Sequence, residues 1–434
     1  LGSLLANPLY NRIKSNLEKI GLRMRMGWLR SFYYKVEEIL KSLFVKNILF
    51  EELGLRYVGP VDGHNLSALI DAFKIAAESP KPILLHIATQ KGRGYEFAED
   101  RPEKWHGTVA FDVDTGEALD APEYPSFSKI FGKTLQKIAK SDKRIVAITA
   151  AMKSGTGLDE FAKEFPDRFF DVGICEEHAV IFAAGLAVRG MLPVIAIYSS
   201  FFQRAIDCFI HDVCLQKLPV ILCLDRAGIV GEDGPTHHGV FDIPLLRFVP
   251  DFVFMQPYDE IELTAMLHSA VGYNLPVVIR YPRGGGSGKR IPENLDPIPL
   301  GKAQIMRGQD SKVQIWALGE RLNVALKTAE QLAQKGIETG VVNARFIKPL
   351  DIDLLRKQIP TTSLFVTIEN GILSGGFGEG LGVELMKNGY SGKILNIGWP
   401  DSFIPHGSLA ELEKQYGQTA EDIVSRIQNE LQRE

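Results

Sequence analysis

The residues that could do chemistry are concentrated in two short stretches of the sequence. Residues 171–190 read DVGICEEHAVIFAAGLAVRG, so two adjacent carboxylates and an imidazole stand between a short strand and an almost wholly apolar helix. Because an apolar helix is expected to be buried, an acid at its start is expected to have a function. Residues 231–239 read GEDGPTHHG and combine acids, two histidines and glycines that leave room for a ligand. Imidazole suits proton transfer near neutral pH.

The elements that must position these residues alternate between strand and helix, which indicates an α/β fold with parallel sheets. Three blocks are predicted. In the first, Asn65 is expected to cap a helix that precedes the strand PKPILLHIAT. The second is a doubly wound domain with the strands IVAITA, FFDVG, PVIAIYS, PVILCLD, FVFMQP and PVVIRYP. The third is a smaller domain with helices from Arg321 to Lys335 and from Phe377 to Asn388, and with the strands VQIWAL, ETGVVNARF, LFVTIEN and KILNIG.

Ligands of such folds gather at the carboxyl ends of the strands, and the polar residues of the second block follow its strands. The set combines acids, histidines and arginines, which supply proton transfer and anion binding. Its members are Glu176, Glu177, His178, Tyr198, Phe201, Gln203, Arg204, Arg226, Asp233, His237 and Arg283.

Composition narrows the possible functions. The 434 residues carry a net charge of −4, which gives no basic field for nucleic acid or for an anionic membrane. No apolar run approaches the roughly 20 residues that span a bilayer, and no zinc-binding spacing is present. The four cysteines lack C-x-x-C spacing and are interpreted as buried thiols of a reducing compartment. They are Cys175, Cys208, Cys214 and Cys223.

Between about Asn47 and Asp401 the sequence resembles the 1-deoxy-D-xylulose-5-phosphate synthase family, thiamine-diphosphate enzymes of the transketolase superfamily. The resemblance rests on the stretches FEELGLRYVGPVDGHN, QKGRGYEFAE, EEHAVIFAAGLA, YSSFFQRAIDCFIHDV, LDRAGIVGEDGPTHHGVFD, IRYPRG and NARFIKPLD. It implies a three-domain transketolase-like architecture of parallel and mixed sheets flanked by helices. Residues 1–120 would be the remnant of a diphosphate-binding domain, 121–290 a pyrimidine-binding domain, and 300–434 the C-terminal domain.

The resemblance also implies a reaction. Pyruvate, with loss of carbon dioxide, would condense with D-glyceraldehyde 3-phosphate to form 1-deoxy-D-xylulose 5-phosphate, the first step of the non-mevalonate isoprenoid pathway. The implied cofactors are thiamine diphosphate and Mg²⁺, and the implied assembly is a homodimer in the bacterial cytoplasm or the plastid stroma. The alternatives are a transketolase, the β-subunit of a 2-oxo-acid dehydrogenase, or a non-catalytic fragment or partner.

The resemblance assigns roles to residues near the cofactor. Glu176 would protonate the aminopyrimidine ring nitrogen of thiamine, while the alternative is that it only interacts with the helix dipole. Glu177 cannot make the same contact because adjacent helix positions do not share a face, and it could line a dimer interface. Phe201 would stack on the aminopyrimidine with Arg204 on the same side, and Lys91 would lie near the cofactor.

A second group of roles concerns the substrate. Tyr198, Arg226 and Arg283 match residues that bind the acceptor's phosphate, for which the planar guanidinium is well suited. His106, Asp233 and His237 match groups that contact the substrate and transfer protons. His238 has no such match, and the prediction of a solvent-facing loop histidine stands beside that of a functional one.

The sequence departs from the family at the metal-binding motif. A G-D-G stretch followed about 30 residues later by asparagine should hold the magnesium ion. Neither VDG at 61–63 nor EDG at 232–234 fits that pattern. The metal ligands are therefore expected in a part of the enzyme N-terminal to Leu1, either because the sequence is truncated or because that part is a separate polypeptide. Truncation is the preferred expectation. The basic stretch 11–46 has no assigned role.

Overall fold

A computed structural model describes residues 48–103, 105–108, 110–119 and 124–433. It divides into two compact units, residues 1–121 and 122–434. The basic stretch 11–46 lies outside the described residues. In the described part of the chain, no helix has both the length and the apolar character needed to cross a membrane.

The first unit contains a parallel pair of strands, β1 (Arg56–Asp62) and β2 (Ile83–Ala88). Its helices are α1 (Ile48–Glu52), α2 (Leu66–Ala77) and α3 (Glu96–Asp100). The side chain of Asn65 accepts a hydrogen bond of 3.1 Å from the backbone N–H of Ala68, which confirms the predicted cap of α2.

The second unit contains a seven-stranded and a five-stranded sheet. The strands are β3 (Ile145–Thr149), β4 (Phe169–Asp171), β5 (Leu192–Tyr198), β6 (Ile221–Asp225), β7 (Val253–Met255), β8 (Val277–Arg280), β9 (Gln304–Arg307), β10 (Val313–Ala317), β11 (Thr339–Asn343), β12 (Phe346–Lys348), β13 (Leu364–Ile372) and β14 (Lys393–Trp399). The larger sheet has the order β12-β7-β8-β6-β5-β3-β4, and the smaller has the order β14-β13-β10-β11-β9. Every strand predicted for the second and third blocks is present.

Helices cover the sheets of the second unit. They are α4 (Phe127–Ser141), α5 (Asp159–Glu164), α6 (Glu176–Val188), α7 (Ser199–Phe202), α8 (Ile206–Cys208), α9 (Asp242–Arg247), α10 (Glu260–Tyr273), α11 (Leu322–Gln334), α12 (Ile352–Gln358), α13 (Phe377–Lys387), α14 (Leu409–Gln415) and α15 (Ala420–Gln432). The two helices predicted in the third block correspond to α11, which is one residue shorter at each end, and α13, which is one residue shorter at its C-terminal end.

Two short strands that the sequence pattern does not reveal tie the second unit together. β9 pairs antiparallel with β11 at the edge of the smaller sheet. β12 comes from the third block, yet it pairs antiparallel with β7 and completes the edge of the larger sheet. One apolar core also runs through residues of both blocks, including Phe254, Trp316 and Phe365. The second and third blocks therefore fold as one compact unit.

Candidate active site

Glu176 is the first residue of α6 and lies at the carboxyl end of β4 in the larger sheet. Its side chain is buried, with 1% of its surface exposed. One carboxylate oxygen, Oε1, accepts a hydrogen bond of 2.9 Å from Nη1 of Arg204. The other oxygen, Oε2, is buried and has no hydrogen-bond partner among the residues that the structure describes. Glu177 and His178 are exposed, as expected for helix positions that point away from the core.

Phe201 and Arg204 lie on the irregular helical segment 199–214 after β5, which passes from α-helix through a 3₁₀ turn to a π-helical turn. The segment brings the Arg204 guanidinium to 5.7 Å from the centre of the Phe201 ring. The half-buried Phe201 ring also meets His237, with 5.2 Å between ring centres and an interplanar angle of 62°. An aromatic face, an acid and an imidazole therefore lie side by side.

Arginines and carboxylates form a charged cluster next to Phe201. Tyr198 packs against Phe201 with 5.5 Å between ring centres, and the Arg226 guanidinium lies 4.1 Å from the centre of the Tyr198 ring. Oδ2 of Asp233 forms an ion pair with Nη1 of Arg226 and lies 3.4 Å from Nε of Arg283. A single carboxylate thus contacts two guanidinium groups. Burial raises the pKa of Tyr198, so its hydroxyl stays protonated.

Arg283 has further partners that fix its position. Its Nη1 donates to the backbone oxygen of Val230 and to Oε2 of Glu232, both at 3.0 Å. The pKa of Glu232 is lowered by a hydrogen bond from the backbone N–H of Glu232 and by the ion pair with Arg283. The arginine pair is therefore held by groups of the 226–239 loop, which follows β6 at the edge where ligands bind in such sheets.

The two adjacent histidines of this loop have different environments. His237 is half-buried against Phe201, whereas His238 is buried with 3% of its surface exposed. Nε2 of His238 donates to the backbone oxygen of Pro405 at 3.2 Å, and Nδ1 accepts from the N–H of Val230 at 3.3 Å. Burial lowers the pKa of His238, which keeps it neutral. The prediction of a solvent-facing His238 is wrong, because the segment around Pro405 covers the loop.

The structure joins eight of the predicted residues into one continuous set of contacts. The set begins at the buried acid, passes through the aromatic rings and ends at the arginine pair. Its members are Glu176, Arg204, Phe201, His237, Tyr198, Arg226, Asp233 and Arg283. Such a set can hold a proton at one end and an anion at the other.

Two further predicted residues, Lys91 and His106, lie in the first unit, where they contact each other. Nζ of Lys91 lies 2.6 Å from Nδ1 of His106, and both side chains are exposed. Since an ammonium group can only donate, Nδ1 of His106 accepts this hydrogen bond. The roles given to these residues by the sequence stay predictions.

Two residues that sequence reasoning missed shape the same edge of the sheet. A Cβ atom on Gly155 would lie 1.9 Å from the Tyr198 hydroxyl, so glycine makes room for this side chain. Asp225 ends β6 directly before Arg226 and is fully buried. Both of its carboxylate oxygens are buried. The signal for Asp225 was present in the sequence, as a charged residue that closes an otherwise apolar strand.

The thiols differ from the prediction that all four are buried. Cys214 and Cys223 are buried, Cys208 is half-buried, and Cys175 is exposed because it precedes α6 at its N-cap position. All four are free.

Among the described residues, no group of three or more histidine, cysteine or acidic side chains could hold a metal ion.

Three family models match the chain in succession. The model described as 1-deoxy-D-xylulose-5-phosphate synthase matches residues 1–89, the transketolase pyrimidine binding domain matches 123–287, and the transketolase C-terminal domain matches 301–423. Together with the two sheets and the buried acid at the start of α6, these matches define a thiamine-diphosphate enzyme of the transketolase class.

Relatives narrow this class to one family. The 1-deoxy-D-xylulose-5-phosphate synthase of Desulforudis audaxviator is 46% identical over 99% of this chain, which spans 68% of that protein. The synthase of Natranaerobius thermophilus is 45% identical over 100% of this chain, which spans 69% of that protein. The chain belongs to the 1-deoxy-D-xylulose-5-phosphate synthase family. The reaction is the condensation of pyruvate, with loss of carbon dioxide, and D-glyceraldehyde 3-phosphate, a step of isoprenoid biosynthesis.

Solved structures agree with this fold. A split-gene transketolase, described as an inactive beta4 tetramer, has a TM-score of 0.63 and 29% identity, and the match covers 70% of this chain and 98% of that one. The transketolase of Campylobacter jejuni has a TM-score of 0.59 at 17% identity, over 90% of this chain and 70% of that one, and supports the fold alone.

Proposed function

We propose that the eight connected residues form the part of the synthase site that binds the aminopyrimidine of thiamine diphosphate and the phosphate of D-glyceraldehyde 3-phosphate. The observation that carries the proposal is the buried carboxyl group of Glu176. Arg204 holds one of its oxygens, and the other has no partner among the described residues. A buried polar atom without a partner costs free energy unless a ligand satisfies it.

These residues fit the aminopyrimidine ring. Glu176 offers a carboxyl oxygen for the ring nitrogen, and Phe201 offers a half-buried aromatic face for stacking. Arg204 keeps the carboxyl group in one orientation through its hydrogen bond to Oε1. Thiamine diphosphate, when bound, supplies the carbon that attacks pyruvate and accepts the electrons released on decarboxylation. The part proposed for Glu176 is to hold a proton at the ring nitrogen.

The arginine cluster is proposed to bind the phosphate of the acceptor. Arg226 and Arg283 share Asp233, so two guanidinium groups already lie close enough to contact one anion. Phosphate would add to or replace the carboxylate at these donors, and bidentate guanidinium contacts favour it. His237 contacts the ring of Phe201, next to this cluster, and is proposed to transfer a proton to the product, with Asp233 setting the local charge.

The diphosphate and its Mg²⁺ are proposed to be held by a G-D-G and asparagine motif outside these 434 residues. This follows from the motif's absence in the sequence and from the length of the relatives, of which the chain spans 68% and 69%. A cytoplasmic location is proposed because all four thiols are free.

A homodimer is proposed to form through the exposed side of α6. Ile181 and Val188 of α6 are 48% and 64% exposed, and their spacing of seven residues puts them on one side of the helix. Ile174, just before α6, is 76% exposed. A Cβ atom on Gly185 would meet nothing within 4 Å, so this surface is flat and open. The occupant proposed is a second copy of the chain, since the chains of the related split-gene transketolase form a tetramer.

The dimer is tested by placing a charge on this surface. Ile181→Glu should shift the mass measured by light scattering toward the monomer. Val383→Glu serves as the control, because Val383 is 41% exposed on another helix of the same unit. A dimer that survives Ile181→Glu at full strength, or that Val383→Glu disrupts equally, would contradict the proposed interface.

The role of Glu176 is tested by comparing two adjacent acids. In an enzyme that carries the diphosphate-binding segment, Glu176→Gln should lower kcat about 10²–10⁴-fold, because glutamine keeps an acceptor for Arg204 but cannot hold the proton. Glu177→Gln is the control, since Glu177 is exposed on the same turn. Release of carbon dioxide from labelled pyruvate gives the rate. Activity of Glu176→Gln within tenfold of the parent would disprove the assignment.

The proposed contact between Arg283 and the substrate phosphate is tested by comparing alanine substitutions of Arg283 and Arg290. Arg283→Ala should raise the KM for D-glyceraldehyde 3-phosphate about tenfold to a hundredfold with little effect on the KM for pyruvate, because one charge-assisted hydrogen bond is worth roughly 1.5–3 kcal/mol. Arg290→Ala removes an exposed arginine seven residues further on and should change neither value. An equal rise for both substrates would mean that Arg283 is structural.

A further inference from the structure

The 226–239 loop carries Asp233 and His237, and its base is closed by backbone hydrogen bonds. The N–H of Gly228 donates to the oxygen of Gly239 at 2.7 Å, and the N–H of Gly239 donates back at 2.8 Å. These bonds join the two ends of the loop but do not set its direction relative to the sheet. That direction is set by contacts with other elements, which include a backbone hydrogen bond of 3.0 Å from the N–H of Ala227 to the oxygen of Tyr281 and a side-chain contact from the smaller sheet.

Asn370 on β13 makes this contact. Its side-chain oxygen accepts hydrogen bonds from the backbone N–H of Ile229 at 3.0 Å and from Nε1 of Trp399 at 2.7 Å. Its side-chain nitrogen donates to Oε1 of Glu320 at 2.6 Å. Two donors on one side and a carboxylate on the other allow only one orientation of the amide group. Asn370 is 5% exposed, so these bonds form without competition from water.

The loop approaches Asn370 closely because Gly228 has no side chain. A Cβ atom on Gly228 would lie 2.2 Å from the side-chain nitrogen of Asn370, and the residue has a φ of +77°, which favours glycine. The amide of Asn370 therefore fills the space beside the loop's first turn. A shift of either group would break the hydrogen bond to Ile229.

Arg280 strengthens the same junction from the end of β8. It is fully buried, and its Nε donates to Oδ2 of Asp242 at 2.8 Å while its Nη1 donates to Oε1 of Gln256. Its Nη2 donates to the backbone oxygen of Asn370 at 3.0 Å and to that of Gly239 at 3.3 Å. One guanidinium thus connects the loop's second end to the strand that carries Asn370.

We propose that Asn370 is a positioning residue of the active site, which holds the 226–239 loop so that its acid and histidine face the substrate. Asn370 lies in the third block, which contributes no residue to the eight-residue set described above. The proposal rests on the proposed function of Asp233 and His237. It adds that their placement depends on a side chain of the smaller sheet.

The first test follows the loop directly and needs no catalysis. In the 434-residue chain, Asn370→Ala should accelerate hydrogen exchange of the Ile229 amide about tenfold, because that amide loses its acceptor. Thr367→Val is the control. Thr367 is buried on the same strand, but its hydroxyl bonds to Asn396 at 2.8 Å rather than to the loop. Unchanged protection of Ile229 in Asn370→Ala would overturn the proposal.

A rescue separates positioning from general damage to the fold. Asn370→Asp places a second carboxylate against Glu320 and should also expose the Ile229 amide to exchange. Adding Glu320→Gln restores a donor for the new acid and leaves an acceptor for Gln256, whose Nε2 donates to Oε2 of Glu320 at 2.7 Å. The double variant should recover most of the protection. A double variant that exchanges as fast as Asn370→Asp would refute the proposed geometry.

The kinetic counterpart uses an enzyme that carries the diphosphate-binding segment. Asn370→Ala should raise the KM for D-glyceraldehyde 3-phosphate about tenfold, while the KM for pyruvate changes less than about twofold. An equal change in both values would mean that Asn370 only stabilises the fold. The exchange measurement does not depend on turnover. If the parent enzyme has no synthase activity, the proposed function is wrong, and the hydrogen exchange of Ile229 still decides whether Asn370 positions the loop.

Discussion

Asp225 gives the most direct quantitative prediction, because it combines complete burial with a titration near neutral pH. Burial raises the pKa of its carboxyl group from 3.8 to about 7, although Ser128 and Arg226 partly counter that effect. The folded protein therefore keeps a proton between pH 4 and pH 7 that the unfolded chain has already released. The free energy of unfolding must fall as the pH rises through this window and level off above it.

The size of the effect follows from the two pKa values. They differ by about three units, and each unit is worth 1.36 kcal/mol, so the full effect is about 4 kcal/mol. Between pH 5 and pH 8 the parent should lose about 2–3 kcal/mol of this stabilisation. Asp225→Asn keeps the shape of the side chain and removes the titration. The free energy of unfolding of Asp225→Asn minus that of the parent should therefore increase by about 2–3 kcal/mol between pH 5 and pH 8.

Urea unfolding followed by circular dichroism at both pH values measures this difference. Asp142→Asn provides the matched control, because hydrogen bonding to Arg144 lowers the pKa of Asp142 and keeps it ionised across the whole range. Its difference from the parent should be the same at pH 5 and pH 8. A constant difference for Asp225→Asn would show that this carboxyl group does not titrate near neutrality and would refute the reasoning.

Three further predictions concern the edge of the larger sheet. Asp233→Asn removes the carboxylate shared by two arginines and should raise the affinity for inorganic phosphate about tenfold in calorimetric titration. A lower affinity would contradict this and show that Asp233 is needed to form the phosphate site. Gly155→Ala should displace Tyr198 and weaken phosphate binding about twofold to fivefold, with unchanged binding as the contrary result. Iodoacetamide should modify Cys175, which is exposed, and spare Cys214, because burial raises the pKa of that thiol to about 12. Mass spectrometry of the peptides decides this point, and equal labelling would contradict it.

The parts of the fold that the sequence predicts are those determined locally. Apolar runs of strand length between helical segments mark the buried strands, and an asparagine before a helix marks its cap at Asn65. The contrast between Glu176 and Glu177 is also local, since one helix turn cannot bury both adjacent side chains against the same element. For these features, the residues near in sequence contain the necessary information.

Other features depend on residues far away in the sequence and escaped prediction for that reason. His237 and His238 are neighbours in a loop without periodicity, and only the segment around Pro405 determines which of them is buried. The strand β12 has three residues, too few for a recognisable alternation, and the helices α10 and α11 and the strands β8 to β11 separate it from its partner β7. Long-range partners of this kind must be seen in the structure.

The third block has a closer relation to the chemistry than its position at the end of the chain indicates. A shortened chain that ends at Pro299 would lose β12 from the edge of the larger sheet, and with it Asn370 and the backbone oxygen that accepts from Arg280. Arg280 would then keep Asp242 and Gln256 as partners but lose its link to the smaller sheet. Such a deletion changes the active-site loop, the sheet edge and any assembly surface together. Single substitutions at Asn370 and Ile181 can separate these effects, because the first contacts the loop and the second is exposed on α6.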